Sequence, residues 1–258
     1  MGAGRLTETE LGVQAAPARL WAPKCREFHM KLPAQTLPDL LPADPMPLAA
    51  GWLAQAWEER LQPNPDAMVL ATCDAAGRPS ARVVLCKQIV AGPGYLLFYT
   101  NYRSRKGREL EANAQAAGVL HWDALHRQLR VEGRVVRATD AESDAYFASR
   151  AWQSRVGAWA SQQSEPVQSR ALMVSAVRSA AAQLGTPDPT AADAEQAGPQ
   201  SVPRPPHWGG YRLWVDCVEL WVEGEHRIHD RARWTRSLEP AGARSFKAGP
   251  WTASRLQP

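Results

Sequence analysis

Apolar positions along the chain follow two rhythms. In "PLAAGWLAQAWEER", Leu48, Trp52, Leu53 and Ala56 recur at the spacing of one helix face, and "PNPD" at 63–66 ends that helix. Short apolar runs follow: "AMVLATC" (67–73), "PSARVVLCKQIV" (79–90), "YLLFYT" (95–100), "AGVLHW" (117–122) and "RQLRVEGRVVRA" (127–138). Turn residues such as "AAGR" and "AGPG" separate them, which predicts antiparallel strands and a sheet that closes into a small barrel. "SRKGRELEANAQA" interrupts the series as a helix with Ser104 at its N-cap. Residues 140–160 and 166–184 read as helical. The strand rhythm returns in "GGYRLWVDCVELWVEG" (209–224) and continues through "EHRIHDRARW" (225–234). If that last stretch is a strand, Arg227, His229 and Arg231 share one face. Such a concentration of cations asks for an anion rather than for packing.

The remaining segments carry little pattern. Residues 1–40 mix Ala, Pro and charge and read as a loosely ordered arm, with Met30 a candidate natural start. The main domain is then 41–258. Within it, the Pro- and Ala-rich 185–206 reads as a solvated loop.

Composition narrows the function. A chain of 258 residues that is 45% hydrophobic can bury a sizeable core, and a net charge of +4 suits an enzyme of phosphorylated metabolites at least as well as a nucleic-acid binder. No apolar run is long enough to span a membrane, and no signal core opens the chain, so a cytoplasmic protein is expected. Cys25, Cys73, Cys86 and Cys217 form no C-x-x-C pair, and Cys73 and Cys86 read as buried thiols. His121 and His126 have no partners at ligand spacing, so no metal is expected. Eleven tryptophans read mostly as core and interface packing.

Several polar positions carry possible chemistry. Arg82 and Lys87 sit on one strand, on opposite faces unless a bulge realigns them. Arg105 and Lys106 fall in the first turn of a helix, where free N–H groups attract anions and the dipole disfavours cations. A bound phosphate reconciles the two. Tyr146, Arg150 and Ser154 recur every four residues, and a helix would align a phenol, a guanidinium and a hydroxyl on one side. Gln128 and Gln163 offer amides suited to a heteroaromatic ring or to capping a turn. No Walker loop, dinucleotide fingerprint or nucleophile elbow is present. These residues suggest two phosphorylated ligands.

Taken in order, "SARVVLCK", "FYTNYRSRKGREL", "RQLRVEG", "YFASRAWQSRVGAWASQQS", "WGGYRL", "VELWVEGEHRIHDR" and the terminal "RLQP" resemble the pyridoxine/pyridoxamine 5′-phosphate oxidases over about residues 45–258. The resemblance implies an FMN-binding split β-barrel and a homodimer with FMN at the interface. It assigns to FMN the positions Arg82, Val83, Val84, Leu85, Tyr99, Thr100, Arg105, Lys106, Gln128, Gln163, Ser164, Trp221 and Arg231. To the phosphorylated B6 vitamer it assigns Lys87, Tyr146, Arg150, Ser154, Arg227, Ile228 and His229, with Arg227 and His229 at the reacting ring. O2 is the implied electron acceptor. An FMN oxidase of another aromatic metabolite, of the phenazine-pathway type, and a non-catalytic flavin-binding module remain the alternatives.

Overall fold

Among the described residues there are ten strands, and inward apolar and outward polar side chains alternate most clearly along β1 and β5. They are β1 (Ala67–Cys73), β2 (Pro79–Val90), β3 (Tyr95–Asn101), β4 (Gln115–Trp122), β5 (Arg127–Arg137), β6 (Trp208–Val222), β7 (Asp230–Thr235), β8 (Leu238–Gly242), β9 (Ser245–Ala248) and β10 (Thr252–Arg255). Five α-helices accompany them: α1 (Met46–Glu59), α2 (Arg105–Ala112), α3 (Asp140–Ser149), α4 (Trp152–Ala160) and α5 (Arg170–Leu184). The computed structural model describes residues 36–198 and 200–258. Most of the expected arm, 1–35, therefore lies outside the described residues. Residues 36–40 lie on the body: Leu37 is 2% exposed, its N–H donates to Asp230 Oδ2 at 2.8 Å, and Arg255 donates to the Pro38 carbonyl.

All strands pair antiparallel. The sheet order β10-β7-β6-β3-β2-β1-β4-β5 closes where β6 also pairs with β5, so six strands form a barrel and β7 and β10 extend from it. The fold is mostly β with flanking helices, a split barrel. β6 makes the split. Its first half pairs with β3 (Tyr95↔Trp214) and its second with β7 (Cys217↔Thr235), while β5 runs along its other edge throughout. The β5–β6 register shifts at Glu132/Gly133, beside the hand-over. A Cβ on Gly133 would meet the Trp214 carbonyl oxygen at 1.9 Å, so only glycine admits the strands this close. Arg236 ties the gap, donating to the Val215 carbonyl at 2.9 Å and to the Gly94 carbonyl at 3.0 Å.

The barrel interior is filled by Met68, Leu70, Phe98, Leu120, Leu129, Leu213 and Leu220, and α1 lays Met46, Ala49, Trp52, Leu53 and Ala56 against the same core. A second core lies under α3–α5, where Phe147, Trp152, Val156, Ala181 and Trp208 meet. Ala194 and Val202 belong to it as well, so the largely exposed segment 185–206 is anchored to the body at those two points. Burying a valine side chain contributes roughly 1.5–3 kcal/mol, enough to hold an otherwise polar stretch in place.

Three further expectations change. The helix over 140–160 is two helices: the Ser149 hydroxyl donates to the Tyr146 carbonyl, and Arg150 and Ala151 are extended. The helix expected from 166 begins at Arg170, capped by the Ser169 side chain. The stretch 225–234 is a strand only from Asp230. Glu225–Arg227 form a tight 3-10 turn in which His226 and Arg227 adopt positive φ (55° and 66°). Arg227, His229 and Arg231 thus do not share a strand face by alternation. Of the two thiols read as buried, Cys86 is and Cys73 is only half-buried.

Candidate active site

The end of β3, the start of α2 and the loop after α4 build one polar cluster. Ser104 caps α2, accepting from the Gly107 N–H as its sequence position predicts. A Cβ on residue 107 would meet the Tyr102 carbonyl at 2.0 Å, so glycine is required for this sharp entry into the helix. Lys106 turns inward and is 9% exposed. Its Nζ donates to Gln163 Oε1 at 2.8 Å, to Thr100 Oγ1 at 3.2 Å and to Ser104 Oγ at 3.3 Å. Burial, then repulsion from Arg82, lowers the Lys106 pKa to about 8. The loop is pinned over this helix start: Asn101 donates to the Ser161 carbonyl, and the Arg105 N–H donates to Ser164 Oγ at 3.1 Å.

Arg82 joins the cluster from β2. It donates to Thr72 Oγ1 at 2.5 Å and to Glu109 Oε2 at 3.0 Å, and it also bonds Ser80. Arg105 reaches the other oxygen of Glu109 at 2.8 Å. Of the strand segment beside Arg82, Val84 points into the core while Val83 and Leu85 are exposed outside the barrel. Lys87 falls at a register shift in the β2–β3 pairing and donates to the buried Asp66 at 2.6 Å.

Aromatic rings make a second cluster. Tyr99 and Tyr146 stack with centroids 3.9 Å apart, and Trp208 lies parallel at 5.7 Å from Tyr99. Arg150 covers Trp208 at 4.9 Å. Because α3 ends before Arg150, the clamp expected along one helix face is instead a corner between two helices, and Ser154 is exposed on α4. Arg150 Nη1 is buried without a hydrogen-bond partner, an arrangement that favours an anionic oxygen there.

A third group crosses the far end of the sheet. Gln128, Trp221 and Arg231 are successive cross-strand partners on β5, β6 and β7. Arg231 donates to Glu219 Oε1 at 2.9 Å and to the Gln257 carbonyl at 3.0 Å, and its Nε is buried without a partner. The His229 ring packs against Trp221 in a tilted arrangement, centroids 4.8 Å apart, and accepts from the Gly224 N–H through Nδ1. A backbone N–H only donates, so a neutral His229 carries its proton on Nε2. Arg227 and Ile228 are exposed on the preceding turn, Ile228 at 73%. No described hydrogen bond or ion pair joins this group to the Lys106 cluster.

Comparison with known proteins places the chain in a family. Residues 53–183 match the model described as "Pyridoxamine 5'-phosphate oxidase", and 208–258 match "Pyridoxine 5'-phosphate oxidase C-terminal dimerisation region". A pyridoxine/pyridoxamine 5′-phosphate oxidase of Paracoccus denitrificans is 48% identical over 75% of this chain and 82% of its own. One from Rhodospirillum rubrum is 46% identical over 83% of this chain and 96% of its own. The chain belongs to the pyridoxine/pyridoxamine 5′-phosphate oxidase family. The solved structure of PhzG from Burkholderia lata 383, in complex with tetrahydrophenazine-1-carboxylic acid, is similar with a TM-score of 0.69 and 30% identity, over 84% of this chain and 94% of that one. A pyridoxamine 5′-phosphate oxidase-related, FMN-binding protein of Nostoc punctiforme shares the fold, with a TM-score of 0.56 and 16% identity, over 81% of this chain and 96% of that one.

Within this oxidase family member, sequence reasoning missed the acids and the aromatic that hold the cations. Glu109, Glu219, Asp66 and Trp208 each contact a residue singled out above. Only Glu109 left a signal, four residues after Arg105. Among the described residues no helix is long and apolar enough to cross a membrane.

Proposed function

We propose that the chain is an FMN-dependent oxidase that converts pyridoxine 5′-phosphate and pyridoxamine 5′-phosphate to pyridoxal 5′-phosphate. One observation carries the reading: cations are gathered in separate places, and buried nitrogens of Arg150 and Arg231 are left without protein partners, as donors for an oxyanion or a ring. The residues fit FMN. Lys106, Arg82 and Arg105 would hold its phosphate, and Gln128, Trp221 and the spare Nε of Arg231 would meet the rest of it. Thr100, Gln163 and Ser164 would line the same site, beside Tyr99 and the Val83–Leu85 strand segment. FMN held there would supply two-electron redox chemistry, accepting a hydride equivalent from the substrate 4′ carbon, with O2 as the final acceptor reduced to H2O2.

The chain's own residues position the reductant. Arg150, with its unpartnered Nη1, would take the vitamer phosphate together with Lys87, Tyr146 and Ser154. Arg227 and Ile228 would lie at the pyridine ring, where the guanidinium orients the substrate and stabilises negative charge on it. His229 offers Nε2–H as a donor to the ring substituents. With Nδ1 already engaged, it serves as a donor and orienter, and no obligatory general base is assigned. An amine substrate yields an imine that water hydrolyses to the aldehyde.

This reading calls for a homodimer, in keeping with the C-terminal match to a dimerisation region. Trp208, beside the Tyr99 ring, and Trp221 stand at opposite ends of β6, 13 residues apart, on the order of 40 Å of extended chain. A mononucleotide is far shorter than that. If both ends serve the same FMN, they come from two copies. The deciding experiment measures oxygen consumption by the flavin-loaded protein with each phosphorylated vitamer and its dephosphorylated form. Turnover confined to the phosphorylated forms supports the proposal; none with either rejects it. The likeness to PhzG motivates one further arm, a reduced phenazine carboxylate, and preference for that compound moves the assignment to its alternative.

A further inference from the structure

Glu109 is placed where helix energetics alone would not put it. It follows Arg105 by four residues, the weaker order for a helical ion pair, and lies in the second half of an eight-residue helix, where the dipole opposes a carboxylate. Yet it is 5% exposed and accepts four hydrogen bonds from three elements. Thr72 and Ser80, directly opposite each other on β1 and β2, donate to Oε2 at 2.5 and 2.7 Å. Arg82 donates to the same oxygen at 3.0 Å, and Arg105 to Oε1 at 2.8 Å. Burial alone would raise the carboxyl pKa, but the bonds from Thr72, Ser80, Arg105 and Arg82 outweigh it and bring it down to about 2. The side chain is therefore ionised at every working pH.

We propose that Glu109 is a positioning residue for the cofactor phosphate: it fixes the Arg82 and Arg105 guanidinium groups in one orientation and sets the charge of the site. The inference rests on the reading that Arg82, Arg105 and Lys106 hold that phosphate. Three cations against one carboxylate leave two positive charges, which match the roughly −1.5 to −2 of a phosphate monoester at neutral pH. Without Glu109, the two arginines lose their common anchor and Lys106 faces an uncompensated Arg82. Glu109 does not touch the ligand; it acts through the arginines.

The sign of the effect separates this role from a mere neighbouring charge. Removing a nearby negative charge strengthens binding of an anion; removing a positioning group weakens it. The flavin-free protein and its Glu109→Gln variant are titrated with FMN and with riboflavin, which lacks the phosphate, by quenching of flavin fluorescence at fixed salt. FMN affinity is expected to fall about tenfold or more, the scale of a hydrogen bond to a charged group, with riboflavin affinity unchanged. Equal or tighter FMN binding overturns the proposal, and so does a parallel loss for both flavins, which marks a purely structural role. Ser80→Ala keeps the carboxylate and removes one of its donors, and a smaller loss confined to FMN is expected. Should the Gln variant fail to fold, an unchanged FMN-to-riboflavin ratio in Ser80→Ala overturns the proposal by itself. Equal binding of FMN and riboflavin by the unsubstituted protein instead removes the underlying assignment of the three cations, and the inference with it.

Discussion

Replacing Lys106 with methionine should stabilise the flavin-free protein while crippling its ligand site. The Lys106 ammonium is buried, and its pKa falls from an ordinary 10.5 to about 8. That difference corresponds to about 3 kcal/mol of penalty for holding the charged form in the folded state. The unfolded chain binds this proton more tightly than the folded one, so the penalty is fully present below pH 8 and is relieved as pH rises from about 8 toward 10.5. By pH 9.5 the unsubstituted protein recovers about 2 kcal/mol through this group. Methionine fills similar volume without charge and removes three donated hydrogen bonds. Their acceptors keep other partners, since Ser104 Oγ donates to the Asn101 carbonyl and Thr100 Oγ1 to Gln163. The net gain at pH 7 is therefore about 1–3 kcal/mol. Urea unfolding of both proteins, free of flavin and at one protein concentration, measures it at pH 7 and 9.5. The stability difference should shrink by about 2 kcal/mol between the two pH values. A difference independent of pH, or a less stable variant at pH 7, refutes the account of Lys106 as a strained cation awaiting an anion.

Three other outcomes follow from the geometry. Mixing Lys106→Met and Arg231→Ala chains through co-refolding should restore about a quarter of wild-type activity, because half of random dimers pair unlike chains and each of those holds one intact composite site of two; no recovery argues that each site is built within one chain. Arg150→Met should raise KM for the phosphorylated vitamers about tenfold or more with FMN retained, since a buried donor aimed at the phosphate is lost; steady-state kinetics with an unchanged KM contradicts its role. Gly133→Ala should destabilise the fold by about 3 kcal/mol or more, because its Cβ would sit 1.9 Å from the Trp214 carbonyl oxygen, and chemical denaturation reads that loss directly.

Strand content was readable because residue alternation is a local property: β1 and β2 coincide with their apolar runs, and Ser104 caps α2 as its hydroxyl and position require. The breaks were not readable in the same way. Nothing in "YFASRAW" marks the end of α3 at Ser149, and the extended Arg150 there covers Trp208, which lies 58 positions later in the sequence. The alternation in "EHRIHDRARW" is real, but the turn through His226 and Arg227 at positive φ overrides it. Ala194 and Val202 belong to a Pro-rich segment that composition labels as solvated, and only the neighbouring tryptophans reveal that they are buried. At the site, cations announced themselves by number and spacing. Their acidic anchors did not, because Glu109 and Glu219 are recognisable only by which arginines they touch in space.

β6 changes neighbours halfway along its length, leaving β3 for β7 at Val215–Asp216. The C-terminal ribbon of β7 and β10 is thereby paired to the barrel along only half of one strand, held further by Leu37, Pro38 and the buried Trp234, and is not needed to close the ring. In hydrogen exchange its amides should open with a lower free energy than those of β1 and β2. Trimming that ribbon would leave the ring of paired strands closed, but it would carry away Arg231 together with Ala232 and Trp234, so the site would lose its guanidinium and the core two fully buried side chains in one cut.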